Sequence, residues 1–126
     1  MTEAKKIERL FNELQTTNIS EFPKKGKLDI TCKQGVYIIY NPNKEVIHVG
    51  RTPYGQDGLC QRLNNHLYNA SSFSKKYLSG NGKLLRAGYT FKYIVVENPR
   101  EKALLENLAT GLLCPLHLGT SEKQSV

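Results

Sequence analysis

Apolar residues near the start of the chain recur at helical spacing. Ile7, Leu10, Phe11 and Leu14 stand at i, i+3, i+4 and i+7, which predicts an amphipathic helix over Thr2–Asn18. The period is lost from Ser20 to Lys33, where Pro23, Gly26 and four lysines predict a connecting loop with room for a short extended piece at Leu28–Thr31. Alternation then takes over. Gly35–Tyr40 (GVYIIY) and Glu45–Val49 (EVIHV) are rich in β-branched and aromatic residues, and Asn41-Pro42-Asn43-Lys44 between them is turn chemistry, so the pair predicts an antiparallel hairpin. Side chains alternate across a strand, so Tyr37 and Ile39 share one face, and Val46, His48 and Gly50 share a face of the partner. A register with Tyr37 and His48 on the same side is permitted by this pattern but not required by it.

After the glycine-rich loop Gly50–Gly58, the stripe Leu59, Leu63 and Leu67 predicts a helix over Leu59–Asn69. Arg62 and His66 lie four apart on a neighbouring stripe of it and project to the same side. Ser72–Leu78 reads as another short helix, ended by Gly80-Asn81-Gly82, and Tyr89–Glu97 (YTFKYIVVE) as the third strand. Asn98 and Pro99 are N-cap and first-turn residues for a last helix over Arg100–Leu113, with Ala103, Leu104, Leu108, Gly111 and Leu112 as its packing face. The layout is α+β, of the α/β sandwich type: a small three-stranded antiparallel sheet flanked by helices. Residues 1–34 form a helix and linker packed on the domain, because the apolar stripe must be buried somewhere. Residues 35–118 form the domain itself, and 119–126 a polar, frayed tail.

Composition narrows the class. With 126 residues, 39% hydrophobic and 23% charged, the chain fits one domain and is neither disordered nor collagen-like. No stretch of ~18 apolar residues is present, which excludes a transmembrane helix, and no membrane partner is expected. The start, MTEAKKIERLFNEL, lacks an apolar h-region and carries Glu3, Glu8 and Glu13, unlike a signal or transit peptide. Cys32, Cys60 and Cys114 are odd in number and far apart, which reads as three thiols packed as small apolar residues in a reducing, cytoplasmic compartment. The formal net charge is +7, and the span His48–Val96 holds seven basic residues against one acid, Asp57. Such a stretch suits a polyanion, since each Lys or Arg near a phosphate releases counterions. Lys75, Lys76, Lys83 and Arg86 are the candidate backbone contacts.

The chemistry-bearing residues form a recognisable order. Gly35-Val36-Tyr37 is followed, after ten residues, by His48-Val49-Gly50, then Arg51, then Arg62 with His66 on a helix, then Glu106 on the late helix. This resembles the GIY-YIG nucleases, and the resemblance runs from Gly35 to Leu118, about two thirds of the chain. It implies a metal-dependent endonuclease that hydrolyses DNA phosphodiester bonds, with RNA left open as a partner. Tyr37 would sit beside the attacking water as base or relay, Arg51 and Arg62 would stabilise phosphoryl charge, and His66 would assist proton transfer. Glu106 would bind one Mg²⁺ or Mn²⁺. Two positions depart from the family pattern. His48 stands where tyrosine is usual, and imidazole, with a pKa of ~6.5 against ~10, is the more competent base near neutral pH. Leu118 stands where an asparagine is common; neighbouring His117 is the nearest polar substitute. These departures motivate an alternative, a non-cleaving nucleic-acid-binding module of the same fold.

Independently of resemblance, phosphodiester hydrolysis needs an activated water, positive charge near the phosphoryl oxygens and help for the leaving oxygen. Arginine's forked donors suit the second need. A lone carboxylate among Leu104, Leu105, Leu108 and Ala109 suits a single hard cation. A zinc site built from the histidines with Cys60 or Cys114 lacks the tight ligand spacing such sites use. GRTPYG lacks the G-x-x-x-x-G-K-[ST] order of a P-loop.

Overall fold

A computed structural model describes residues 1–55 and 57–118. The polar tail of 119–126 lies outside the described residues. In chain order the elements are α1 (Glu3–Thr16), β1 (Ser20–Glu21), β2 (Gly35–Tyr40), β3 (Val46–Arg51), α2 (Leu59–Leu67), β4 (Thr90–Val95) and α3 (Pro99–Leu113). A single π-helical turn, Phe73–Tyr77, and a 3₁₀ turn, Gly82–Arg86, lie between α2 and β4. The class is α+β, as the pattern of periods predicts, but the antiparallel sheet has four strands in the order β1-β4-β2-β3. The additional strand is β1, two residues that pair Ser20 and Glu21 with Phe91 and Thr90. Two residues are too few to show alternation, so the segment reads as loop in sequence. The five-residue 3₁₀ turn, GKLLR, is too short for its apolar residues to show a period.

Hydrophobic burial divides the domain into two layers on either side of the sheet. On one side Tyr37, Ile39 and Phe91 pack against Leu59, Leu63 and Leu67 of α2 and against Phe73. On the other, Val36 and Ile38 pack against Ile7, Phe11 and Leu14 of α1 and Leu105 and Ala109 of α3. The N-terminal helix therefore completes a core. Each fully buried leucine or isoleucine contributes about 1.5–3 kcal/mol, which is why α1 is held although its outer face is polar. Its start is capped by Thr2, whose hydroxyl accepts the Lys5 N–H at 3.2 Å. Asn98 caps α3 in the same way, accepting the Glu101 N–H at 3.0 Å, with Pro99 in the first turn as expected.

The buried stripe of α3 is not the predicted one. It runs through Lys102, Leu105 and Ala109, while Leu112 is 61% exposed and Gly111 faces open space. Leu104 and Leu108 pack partly against the same core. Leu104, Leu105, Leu108, Ala109, Leu112 and Leu113 form an apolar face wider than one stripe, so periodicity does not fix which part of it faces inward.

The cysteine reading is corrected. Cys32 and Cys60 form a disulfide, and Cys114 is a free, exposed thiol. The pairing is invisible in the spacing because it depends on the loop returning against the first turn of α2. There the Gly58 N–H donates to the Cys32 carbonyl at 3.0 Å and the Leu59 N–H to that of Lys33 at 2.9 Å. Closing a sequence separation of 28 residues is worth about 3.5 kcal/mol in the chain-entropy account. Reduction, or Cys32→Ser, is therefore expected to lower Tm by roughly 10 °C in thermal unfolding; an unchanged Tm would contradict a formed bond. No helix among the described residues is long and apolar enough to cross a membrane.

Candidate functional site

The hairpin register decides the site. Tyr37 pairs with Gly50 and Ile39 with His48, so Tyr37 and His48 lie on one face of the sheet, with ring centroids 5.9 Å apart. Gly50 leaves the space that Tyr37 fills: a Cβ there would stand 2.4 Å from the phenol oxygen. Gly35 is equally constrained, since its Cβ would meet the Ile94 carbonyl oxygen at 2.2 Å. Both glycines of the two tripeptides are thus demanded by close approach rather than by turn geometry.

From the facing helix α2, His66 reaches the Tyr37 hydroxyl through Nε2 at 2.6 Å. Its Nδ1 meets Ser71 Oγ at 2.6 Å, and Ser71 in turn lies 3.1 Å from Ser74 Oγ. Tyr37 and His66 are fully buried. Burial pushes the Tyr37 hydroxyl up to about 12, with the Glu106 charge acting in the same direction, although the Arg62 guanidinium pulls the other way. His66 is held well below the ordinary imidazole range, chiefly by burial and then by the charges of His48, Arg62 and His117. Tyr37, His66 and Ser71 form a connected chain of groups able to pass a proton without changing net charge.

His48 stacks on Phe73, with centroids 4.6 Å apart and planes 17° from parallel. It also lies 5.2 Å from His66 and 5.3 Å from His117. The His48 ring is lowered to about 3, chiefly by burial and then by the neighbouring His117 and Arg62 charges, while the His117 backbone acts the other way. Neither His48 ring nitrogen, nor Nε of Arg62, makes a well-formed hydrogen bond among the described residues, although all three atoms are buried. Orphaned polar atoms of this kind are expensive to bury and mark a place where a ligand or water completes the bonding.

The second half of the site lies across the edge strand. Arg51, at the end of β3, donates from Nη1 to Glu106 Oε1 at 2.7 Å. Burial raises the Glu106 carboxyl, and the Arg51 and Arg62 charges oppose that shift. The two halves are therefore coupled electrostatically: Arg62 acts on Glu106, and Glu106 acts on Tyr37. A cleft of about 360 Å³ runs beside Glu106, lined also by Val49, Asn107, Thr110, His117 and Leu118. Arg62 opens on another, about 210 Å³, with Pro53, Gln61 and Asn65.

Six residues singled out in the sequence thus come together: Tyr37, His48, Arg62 and His66 on the α2 side, Arg51 and Glu106 on the α3 side. His117 joins them, since its N–H donates to the Ile47 carbonyl at 2.9 Å and places its ring beside His48 and Phe73. Leu118 is 52% exposed at the cleft by Glu106. Phe73 and Ser71 were not singled out, and no spacing rule points to them, because the π-turn that presents Phe73 is defined by backbone geometry.

The basic stretch is divided by the fold. Lys75, Lys76 and Lys83 are exposed. Arg86 is instead a structural tie, its Nη1 donating to the carbonyls of Pro23 at 3.0 Å and Gly26 at 2.8 Å. Lys92 is tied in a similar way, donating to the Gln15 carbonyl at 2.6 Å.

Among the described residues no three His, Cys, Asp or Glu side chains form a metal-ligating group. Glu106 is the candidate ligand, and its Oε1 is engaged by Arg51. A single carboxylate fits Mg²⁺ or Mn²⁺ where water and phosphate oxygens complete the octahedron; it does not fit a structural zinc. No family model matches the chain, and no curated protein matches it.

Proposed function

We propose that the protein is a metal-dependent endonuclease of the GIY-YIG type, hydrolysing DNA phosphodiester bonds at the Tyr37–His48–Arg62–His66 cluster and the adjoining Arg51–Glu106 pair. The observation that carries this reading is the set of buried polar atoms on His48 and Arg62 that make no well-formed hydrogen bond among the described residues, beside a connected Tyr37–His66–Ser71 chain. Arg62 presents its fork to the scissile phosphate. Tyr37 keeps its proton at neutral pH and serves as relay rather than base. That assigns the water proton to neutral His48. An anionic phosphate beside Arg62 offsets the charge that helps hold His48 deprotonated, so the ring gains basicity when substrate arrives. Arg51 exchanges its bond to Glu106 for a phosphate oxygen, freeing the carboxylate. A divalent ion bound there would supply positive charge to the leaving oxygen.

A second reading, a nucleic-acid-binding module without cleavage, is favoured by the complete burial of Tyr37 and His66 and by the occupation of Glu106 by Arg51. Plasmid incubated with the protein and Mg²⁺ or Mn²⁺ separates the two. The nuclease reading expects nicking that is abolished by EDTA and by Glu106→Ala, with DNA binding retained. Binding without cleavage in either metal supports the module.

A further inference from the structure

Lys102 is only 2% exposed and heads the inward stripe of α3, yet no carboxylate is among its hydrogen-bond partners in the described residues. Its Nζ donates to Gln34 Oε1 and, at 3.3 Å, to Thr52 Oγ1. Thr52 is itself fully buried; its hydroxyl donates to Gln34 Oε1 at 2.6 Å and accepts the Gly35 N–H at 3.1 Å. The Thr52 N–H donates to the Gly35 carbonyl at 3.0 Å. One network therefore joins the first turns of α3, the entry to β2 and the exit from β3. An ammonium carried by neutral oxygens in an apolar layer is costly to keep, and an unbranched apolar side chain would fill the same volume without that cost.

What the network borders explains why a cation is kept there. Arg51 immediately precedes Thr52, and Glu106 follows Lys102 by four residues, one turn along the same side of α3. Arg51 also acts on Lys102 electrostatically, adding to the burial that lowers its pKa, while Glu97 pulls in the opposite direction. We propose that Lys102, acting through Thr52 and Gln34, is a positioning residue that fixes the height of α3 against β3 and so sets Arg51 against Glu106. This rests on, and deepens, the reading of that pair as part of the reaction site. It assigns Lys102 no contact with substrate.

The test is a side-chain NMR experiment on the full chain without DNA or metal, so it is independent of whether the protein cleaves anything. In the wild type, a guanidinium fixed on Glu106 gives Arg51 Nη signals in slow rotation. Lys102→Met and Thr52→Val are expected to collapse them into one averaged signal, whereas Thr52→Ser, which keeps the hydroxyl, retains the wild-type pattern. Lys102→Met is expected to hold or raise Tm, since it removes a desolvated charge. Arg51 signals unchanged in Lys102→Met and Thr52→Val would overturn the proposal, as would a Tm loss in Lys102→Met with the pair intact. If Lys102→Met does not fold, the comparison of Thr52→Val with Thr52→Ser decides alone. Where cleavage is established separately, the same two disruptive variants are expected to slow it about tenfold.

Discussion

Through His48 alone the protein is expected to lose roughly 2–3 kcal/mol of stability between about pH 6.5 and pH 4.5, and His66 adds to the loss in the same direction. His48 is held at about 3 and His66 well below its ordinary value, in both cases chiefly by burial. In the unfolded chain both rings titrate near ~6.5. Below that pH the unfolded state takes up protons that the native rings refuse, so stability falls as acidity rises, for His48 by about 1.4 kcal/mol per pH unit. Above ~6.5 both rings are neutral in both states and contribute no slope. A loss of that size is a large fraction of the stability of a domain this long. Urea unfolding between pH 7.5 and 4.5 measures it directly. His48→Phe, which keeps an aromatic ring stacked on Phe73, should leave a shallower slope of the same sign, that due to His66. A flat wild-type profile down to pH 5 would mean that the rings protonate freely and that the cluster is not sealed.

The largest expected effect on activity belongs to Arg62. Its Nε is buried and has no hydrogen-bond partner among the described residues, and its charge reaches both Tyr37 and Glu106, so it stands where the two halves of the proposed site meet. A donor aimed at charge that develops only during reaction contributes to rate more than to binding. Arg62→Ala is therefore expected to reduce single-turnover cleavage by about 10²–10³-fold while DNA affinity changes only a few-fold. Arg62→Lys should recover little of the rate, because a point charge does not reproduce the fork. Equal losses in rate and affinity would identify Arg62 as a binding contact only.

Much of this arrangement is legible in the sequence because it depends on local rules. The hairpin follows from two alternating runs across a polar turn, and α2 carries Arg62 and His66 on one side because they are four residues apart. Asn98 and Pro99 announce α3 correctly. What is not legible depends on contacts made after the chain has folded back. The Cys32–Cys60 bond needs the loop before β2 to meet the start of α2. Lys102 looks like an ordinary surface lysine until Gln34 and Thr52 close over it. Arg86 reads as a phosphate contact in sequence, and in the fold its Nη1 is held by the carbonyls of Pro23 and Gly26. The sequence order of Tyr37, His48, Arg51, Arg62, His66 and Glu106 suggests one site, but their coupling across β3 depends on Gly50 leaving room for the Tyr37 ring.

The proposed phosphodiester hydrolysis at this cluster is tested most directly by the chemistry of the cut ends. End-labelled duplex and branched DNA should be incubated with the wild-type protein and Mg²⁺, or Mn²⁺, and the products analysed for their termini. Hydrolysis by an activated water with a leaving 3′-oxygen predicts fragments bearing 5′-phosphate and 3′-hydroxyl ends. DNA that is bound but left intact in both metals, or ends of any other chemistry, would contradict the account.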